Sequence, residues 1–160
     1  MSKLTHLDDA GHAHMVDVSE KAETSRTAWA TATVQLTAEA MNLLIEGNLK
    51  KGDALGTARV AGIMGAKKTA ELIPLCHPLP ITKVTVDLEP NTITNTVLIH
   101  AIVKTRGKTG VEMEALTAAT TAALTLYDML KAIDKGITIS MIQLVEKKGG
   151  KSGTWNRKAP

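Results

Sequence analysis

The chain has 160 residues, 44% of them hydrophobic, which suits one domain with a real core. It has no apolar run of the roughly 18 residues a membrane span needs, and its lone Cys76 excludes a disulfide framework or a CxxC metal site. The net charge of +3 suits an anionic ligand, while aromatics at 2% (Trp29, Tyr127, Trp155) leave few platforms for stacking nucleic acid bases.

Residues 1–20 are polar, carry His6, His12 and His14, and read as an extended arm. They lack the apolar core of a secretory leader, so the expected location is cytoplasmic, or an organelle matrix had a transit peptide been removed. His12-x-His14 has no carboxylate or Cys at ligand spacing, so no metal is expected there. From Thr27 to Leu36 the pattern alternates. Ala28, Ala30, Ala32, Val34 and Leu36 share one face and Trp29, Thr31, Thr33 and Gln35 the other, which predicts a strand. Thr37 then caps a short helix, Ala38–Glu46, that ends at Gly47.

A basic loop, Asn48 to Asp53, leads to a helix predicted over Ala54–Leu72 with Asp53 as its cap. Gly62 and Gly65 in its interior each cost about 1 kcal/mol against Ala, and close packing is the expected return. Pro74 stops that helix, and Pro74, Pro78 and Pro80 stiffen the loop after it. Lys83–Glu89 and Thr96–Lys104 form a predicted antiparallel hairpin with Pro90-Asn91 in the turn. Ile137–Val145 reads as a last strand. Residues 147–160 read as a Gly/Lys-rich tail, mobile beyond Gly153.

Between hairpin and last strand lies the longest pattern, Thr105 to Lys131. After a turn at Arg106–Gly110, residues Ala115, Ala118, Ala119, Ala122, Ala123, Leu126, Met129, Leu130 and Ile133 follow the helical period. Most of that stripe is alanine, which lets a helix lie close to its support. Thr117, Thr121, Asp128, Lys131 and Lys135 fall opposite. Glu112 and Glu114 sit in the first turn, where the helix dipole favours negative charge. Glu112 and Asp128 lie about 24 Å apart on a straight helix at 1.5 Å per residue. They cannot serve one small site within one copy of the chain.

The order is strand, helix, helix, strand, strand, helix, strand. With the two early helices merged as one crossover, this is the ferredoxin-like βαββαβ plan. It is an α+β domain with an antiparallel sheet, helices on one face and an extra helix in the first crossover. No second domain or repeat is visible. Trp29 on the second face of its strand hints at an oligomer.

Two phosphate-loop fragments, Gly107-Lys108-Thr109 and Gly150-Lys151-Ser152, fail the Walker pattern because Ile102 and Val145 stand where its first glycine belongs. The tail lysines Lys147, Lys148 and Lys151 read as a solvated basic segment or as point charges for phosphate. His77 in the stiff loop is structural or functional, and Cys76 beside it is too close in sequence to be its catalytic partner. Lys131 and Asp128 read as a surface ion pair worth about 0.3–0.5 kcal/mol. Alternatively, Lys51 or Lys131 is a lysine whose pKa burial lowers for acid–base work. The residues alone reach an α+β domain with an anion-friendly, lysine-rich site.

Several blocks, in order, are more specific: LTHLDDAGHAHMVDVSEKAETSR at 4–26, KGDALGTARVAGI at 51–63, IPLCHPL at 73–79, TGVEMEALTAATTAALTLYDMLK at 109–131 and GGKSG at 149–153. With these the chain resembles the molybdenum cofactor biosynthesis protein C family, the cyclic pyranopterin monophosphate synthases. Gly65 stands where the family block suggests Ala. The resemblance implies a lyase of molybdenum cofactor biosynthesis, using no cofactor, that converts 3′,8-cyclo-7,8-dihydroguanosine 5′-triphosphate to cyclic pyranopterin monophosphate and diphosphate. It implies a homohexamer, a trimer of dimers, with sites at a subunit interface, where lysines and an aspartate from adjoining copies converge. By resemblance Asp128, Lys51 and Lys131 are catalytic. Leu75, Cys76, His77, Glu112, Met113, Glu114, Arg26 and Lys147 bind substrate. A non-catalytic ferredoxin-like regulatory oligomer holding a small anion is the alternative, and an RNA-binding domain is a third class disfavoured by composition.

Overall fold

The computed structural model describes residues 6–158. Its elements run β1 (Thr24–Gln35), α1 (Ala38–Glu46), α2 (Ala54–Lys67), α3 (Thr69–Leu72), β2 (Ile81–Asn91), β3 (Thr96–Gly107), α4 (Glu112–Leu130), β4 (Thr138–Lys148) and β5 (Trp155–Asn156). The strands form one sheet in the order β2-β3-β1-β4-β5, and each neighbouring pair is antiparallel. This is the expected ferredoxin-like arrangement, with α1 and α2 filling the first crossover.

The alternation on β1 does what its pattern requires. Ala28, Ala30, Ala32 and Val34 are fully buried, as are Val97, Ile99, Ala101 and Val103 on the paired strand β3. Over them lies the alanine stripe of α4, with Ala115, Ala118, Ala119, Ala122 and Ala123 all at 0% exposure. Alanine meeting alanine brings helix and sheet close, so the core is thin and dense. Trp29 lies on the second face, where its indole N–H donates to His100 Nδ1 at 3.2 Å.

The far side of α4 is covered as well. Thr117 and Thr121, expected on an outward face, lie under α2. A Cβ on Gly62 would stand 3.0 Å from the Ala118 carbonyl and 3.2 Å from both Val86 methyls. One on Gly65 would stand 2.5 Å from Thr121 Oγ1 and 3.3 Å from the Thr117 carbonyl. The two interior glycines are therefore where α2 and α4 touch backbone to backbone.

Three boundaries differ from the sequence reading. The helix predicted over Ala54–Leu72 breaks at Lys68, which follows α2, and α3 is one separate turn. There the Thr69 hydroxyl donates back to the Gly65 and Ala66 carbonyls, competing with the regular ladder. Pro90 does not turn the hairpin. It pairs with Val97 within β2, an edge strand, where a missing N–H is tolerated. The turn falls at 92–95, closed by Asn91 Oδ1 accepting from the Ile93 and Thr94 amides and by Asn95 at φ 53°.

The third difference is the tail. Lys147 and Lys148 are on β4, not beyond it, and the segment expected to be mobile after Gly153 returns to pair as β5. Gly149, Gly150 and Gly153 all have left-handed φ, so the glycines that suggested mobility build a reverse turn instead. Arg157 fastens the return, donating from its backbone to Val145 and from Nε to Leu144. At the other end of α4 the buried Asp134 accepts from the Thr37 and Gly136 amides, tying the connection before β4 to the cap of α1.

Candidate active site

The candidate residues gather at the two ends of α4. At its C-terminal end, Asp53 caps α2 by accepting from the Gly56 amide at 2.8 Å, and Gly52 turns the chain at φ 87°. That geometry, anchored by the buried Leu49, carries Lys51 alongside the end of α4. Lys51 Nζ lies 3.0 Å from Asp128 Oδ2 and 2.6 Å from the Asp128 carbonyl. Lys131, one turn on, reaches Asp128 Oδ1 at 2.7 Å. One carboxylate thus holds two ammonium groups, one on each oxygen.

Two expectations are corrected here. Lys51, Asp128 and Lys131 converge within one chain, not from adjoining copies, because α2 begins beside the end of α4. Nor is Lys131 pushed down by burial. Its side chain is half exposed, and hydrogen bonding and charge from Asp128 hold its ammonium above the ordinary lysine value. In turn Lys131, then Lys51, keeps the Asp128 carboxyl below the usual carboxylate range.

At the N-terminal end of α4 two clefts adjoin. The first, of about 410 Å³, lies between Leu75, Cys76 and His77 of the proline loop and Glu112, Met113 and Glu114 of the first helical turn. The arm closes it with Val16 and Val18. His77 Nε2 stands 2.7 Å from the Val16 carbonyl. A carbonyl only accepts, so that nitrogen carries hydrogen and the imidazole is fixed in one orientation. Glu114 is 4% exposed, and burial, with the charge of Glu112 as a smaller cause, raises its carboxyl above the ordinary glutamate value. The half-buried Cys76 thiol is likewise raised, first by burial and then by Glu114.

The second cleft, of about 600 Å³, is lined by Arg26, Lys147, Lys108 and Lys151 and shares Lys21, Thr109, Gly110 and Glu112 with the first. At the junction Lys147 Nζ pairs with Glu112 Oε1 at 2.9 Å, both side chains about 70% buried. Lys21 was not singled out from sequence, and Lys108 entered there only within a phosphate-loop fragment that failed the Walker pattern. Lys21 lies at the end of the arm and Lys108 in the turn before α4, far apart in the chain. Only the pairing of β1 with β3 brings them to one cleft. Lys108 also ties the arm down, donating to the Ser19 carbonyl at 2.6 Å.

The structure therefore unites Lys51, Asp128 and Lys131 in one group. It unites Arg26, Leu75, Cys76, His77, Glu112, Met113, Glu114 and Lys147 in another, with roughly 24 Å of helix between.

Comparison with known proteins bears on this arrangement. The sequence model of the MoaC family matches residues 15–150. The chain belongs to the MoaC family. Every candidate position, from Arg26 to Lys147, lies within the matched stretch of this MoaC-family chain. Among its relatives, the cyclic pyranopterin monophosphate synthase of Thermomicrobium roseum is 61% identical over 157 residues, covering 98% of this chain and 95% of the relative. The protein of the same name from Cereibacter sphaeroides is 58% identical over 159 residues, 99% of this chain and 100% of its own. That of Corynebacterium efficiens is 61% identical over 156 residues, 98% and 99% respectively.

Proposed function

We propose that this chain is a cyclic pyranopterin monophosphate synthase, a lyase that converts 3′,8-cyclo-7,8-dihydroguanosine 5′-triphosphate to cyclic pyranopterin monophosphate and diphosphate. The observation that carries the reading is near-full-length identity, 58–61%, to proteins of that name. Because the two groups stand too far apart for one small substrate, the working site joins the triad of one copy to the clefts of its neighbour. A homohexamer, a trimer of dimers, supplies such interfaces. A GTP-derived substrate is compatible with the cytoplasmic location expected from sequence.

In this reading the triphosphate lies in the basic cleft, where Lys147, Lys21, Lys108 and Lys151 offset its charge. The guanine-derived rings enter the first cleft beside Leu75, Cys76, His77 and Met113. In the free chain Lys147 and Glu112 satisfy one another. A triphosphate oxygen competes for Lys147, which frees Glu112 to accept N–H donors on the base edge. Glu114, whose carboxyl burial raises above the ordinary glutamate value, stands in the same cleft.

The neighbour's triad then moves protons. Asp128, held ionised, accepts a proton from the reacting rings, and Lys51 or Lys131 returns one to the opening five-membered ring. Docking against the neighbour shields the half-exposed Lys51 and Lys131 from water. The cyclic phosphate forms as a substrate hydroxyl attacks the α-phosphorus and diphosphate departs, its charge taken up by the cleft lysines. Incubating the purified protein with the cyclic dihydro-GTP compound tests the reading directly. Stoichiometric diphosphate and pterin support it, and intact substrate after prolonged incubation refutes it.

A further inference from the structure

Arg26 stands among lysines, yet its geometry differs from theirs. Its Nε donates to the Gly107 carbonyl at 3.0 Å and its Nη2 to the Lys108 carbonyl at 3.1 Å. The acceptors are the last residue of β3 and the first of the turn that carries Lys108, Thr109 and Gly110 to α4. The other edge of the guanidinium faces the turn after β4. A Cβ added to Gly150 would fall on Arg26 Nη1 and lie 2.8 Å from its Cζ. Gly150 thus leaves open the space that the guanidinium fills, and its φ of 74° aims Lys151 and Ser152 along the rim of the basic cleft.

We infer that Arg26 and Gly150 are a matched pair of positioning residues. The guanidinium is a strut between the two loops that hold the phosphate-facing lysines, and Gly150 is its seat. The strut fixes the distance across the cleft, so it governs how tightly a chain of phosphates is gripped, and the chemistry at the triad is affected only secondarily. Lysine cannot replace it, because one ammonium does not present two parallel donors to two carbonyls on one plane. The inference rests on placing the triphosphate of the proposed reaction in this cleft.

The test is a double-mutant cycle read by calorimetric binding of inorganic tripolyphosphate and by KM and kcat on the cyclic dihydro-GTP substrate. Gly150→Ala should weaken tripolyphosphate binding and raise KM on the order of tenfold, since small misplacements of binding groups are costly, with kcat changed far less. In the Arg26→Ala background the same change should add almost nothing, the mark of two residues acting as one. Arg26→Lys should behave like Arg26→Ala despite keeping the charge. Gly153→Ala is the control for backbone strain alone. Its φ of 65° is also left-handed, but an added Cβ meets nothing within 4 Å, so its KM should match the parent.

Three results would overturn the inference: additive effects of Gly150→Ala and Arg26→Ala, rescue by Arg26→Lys, or equal damage from Gly153→Ala. A parent protein that binds tripolyphosphate through this pair but releases no diphosphate from the cyclic substrate would refute the proposed reaction and leave the strut standing.

Discussion

Gly62→Ala sets two physical effects against each other. On an exposed helix the change gains about 1 kcal/mol of stability, because alanine is the better helix former. Here the new methyl would stand 3.0 Å from the Ala118 carbonyl and 3.2 Å from both methyls of Val86. The carbonyl belongs to the backbone of α4 and cannot turn aside. Val86 is 1% exposed and β-branched, so it has little rotamer freedom to yield. Overpacking of this kind costs about 1–3 kcal/mol, so the net effect is a loss of roughly 0–2 kcal/mol. For a chain of this size each kcal/mol lost lowers Tm by about 2–4 °C. The same displacement reaches the site. Lys51 precedes α2 and Asp128 lies on α4, so pushing the helices apart lengthens the 3.0 Å contact between them. Differential scanning calorimetry and steady-state diphosphate release, run on one preparation, give both readouts. A Gly62→Ala protein whose Tm rises by the full propensity gain, with kcat unchanged, would refute the claim that this glycine sets the spacing of the two helices.

Glu114 gives a pH signature. Its folded carboxyl is raised by burial, so the folded chain holds a proton where the unfolded chain has lost it, and stability falls as pH rises from the ordinary glutamate range through that raised value. Glu114→Gln should flatten this slope in urea titrations repeated across that interval; an unchanged slope would show that another group causes it. Cys76 should react with iodoacetamide at neutral pH more slowly than a free small thiol, since burial and the charge of Glu114 both disfavour the thiolate. Glu114→Gln should quicken that reaction, and a slower one would contradict the assigned cause.

Much of the fold was legible because local signals and tertiary demands agree. Thr37 and Gly47 bound α1 by cap chemistry that needs no neighbour, and the β1 alternation named the buried face residue by residue. What was misread depended on partners distant in the chain. Whether Pro90 turns or extends is decided by the edge position of β2. Whether glycines 149, 150 and 153 loosen or turn the tail is decided by Arg157 reaching β4. The site followed the same rule. Residues inside one specific block, such as Cys76-His77 or Asp128 with Lys131, were visible as candidates. Lys21 was not, and Lys108 was set aside with a failed phosphate-loop fragment, since the two share a cleft only after β1 pairs with β3. The 24 Å separation of Glu112 from Asp128, read from helical rise alone, correctly kept the two ends apart. It did not reveal that Lys51 reaches Asp128 within the same chain.

The central claim is a site built from the triad of one copy and the clefts of another, and mixed assemblies test it most directly. Lys51→Ala and Glu112→Ala chains, each inactive alone, are unfolded, mixed in equal amounts and refolded together. With random assortment about a quarter of the interfaces then pair an intact triad with intact clefts, and about that share of the parent's diphosphate release should return. Mixing Lys51→Ala with Asp128→Ala should restore nothing, because both lesions fall in one chain's triad. Recovery in the second mixture and none in the first would contradict the account.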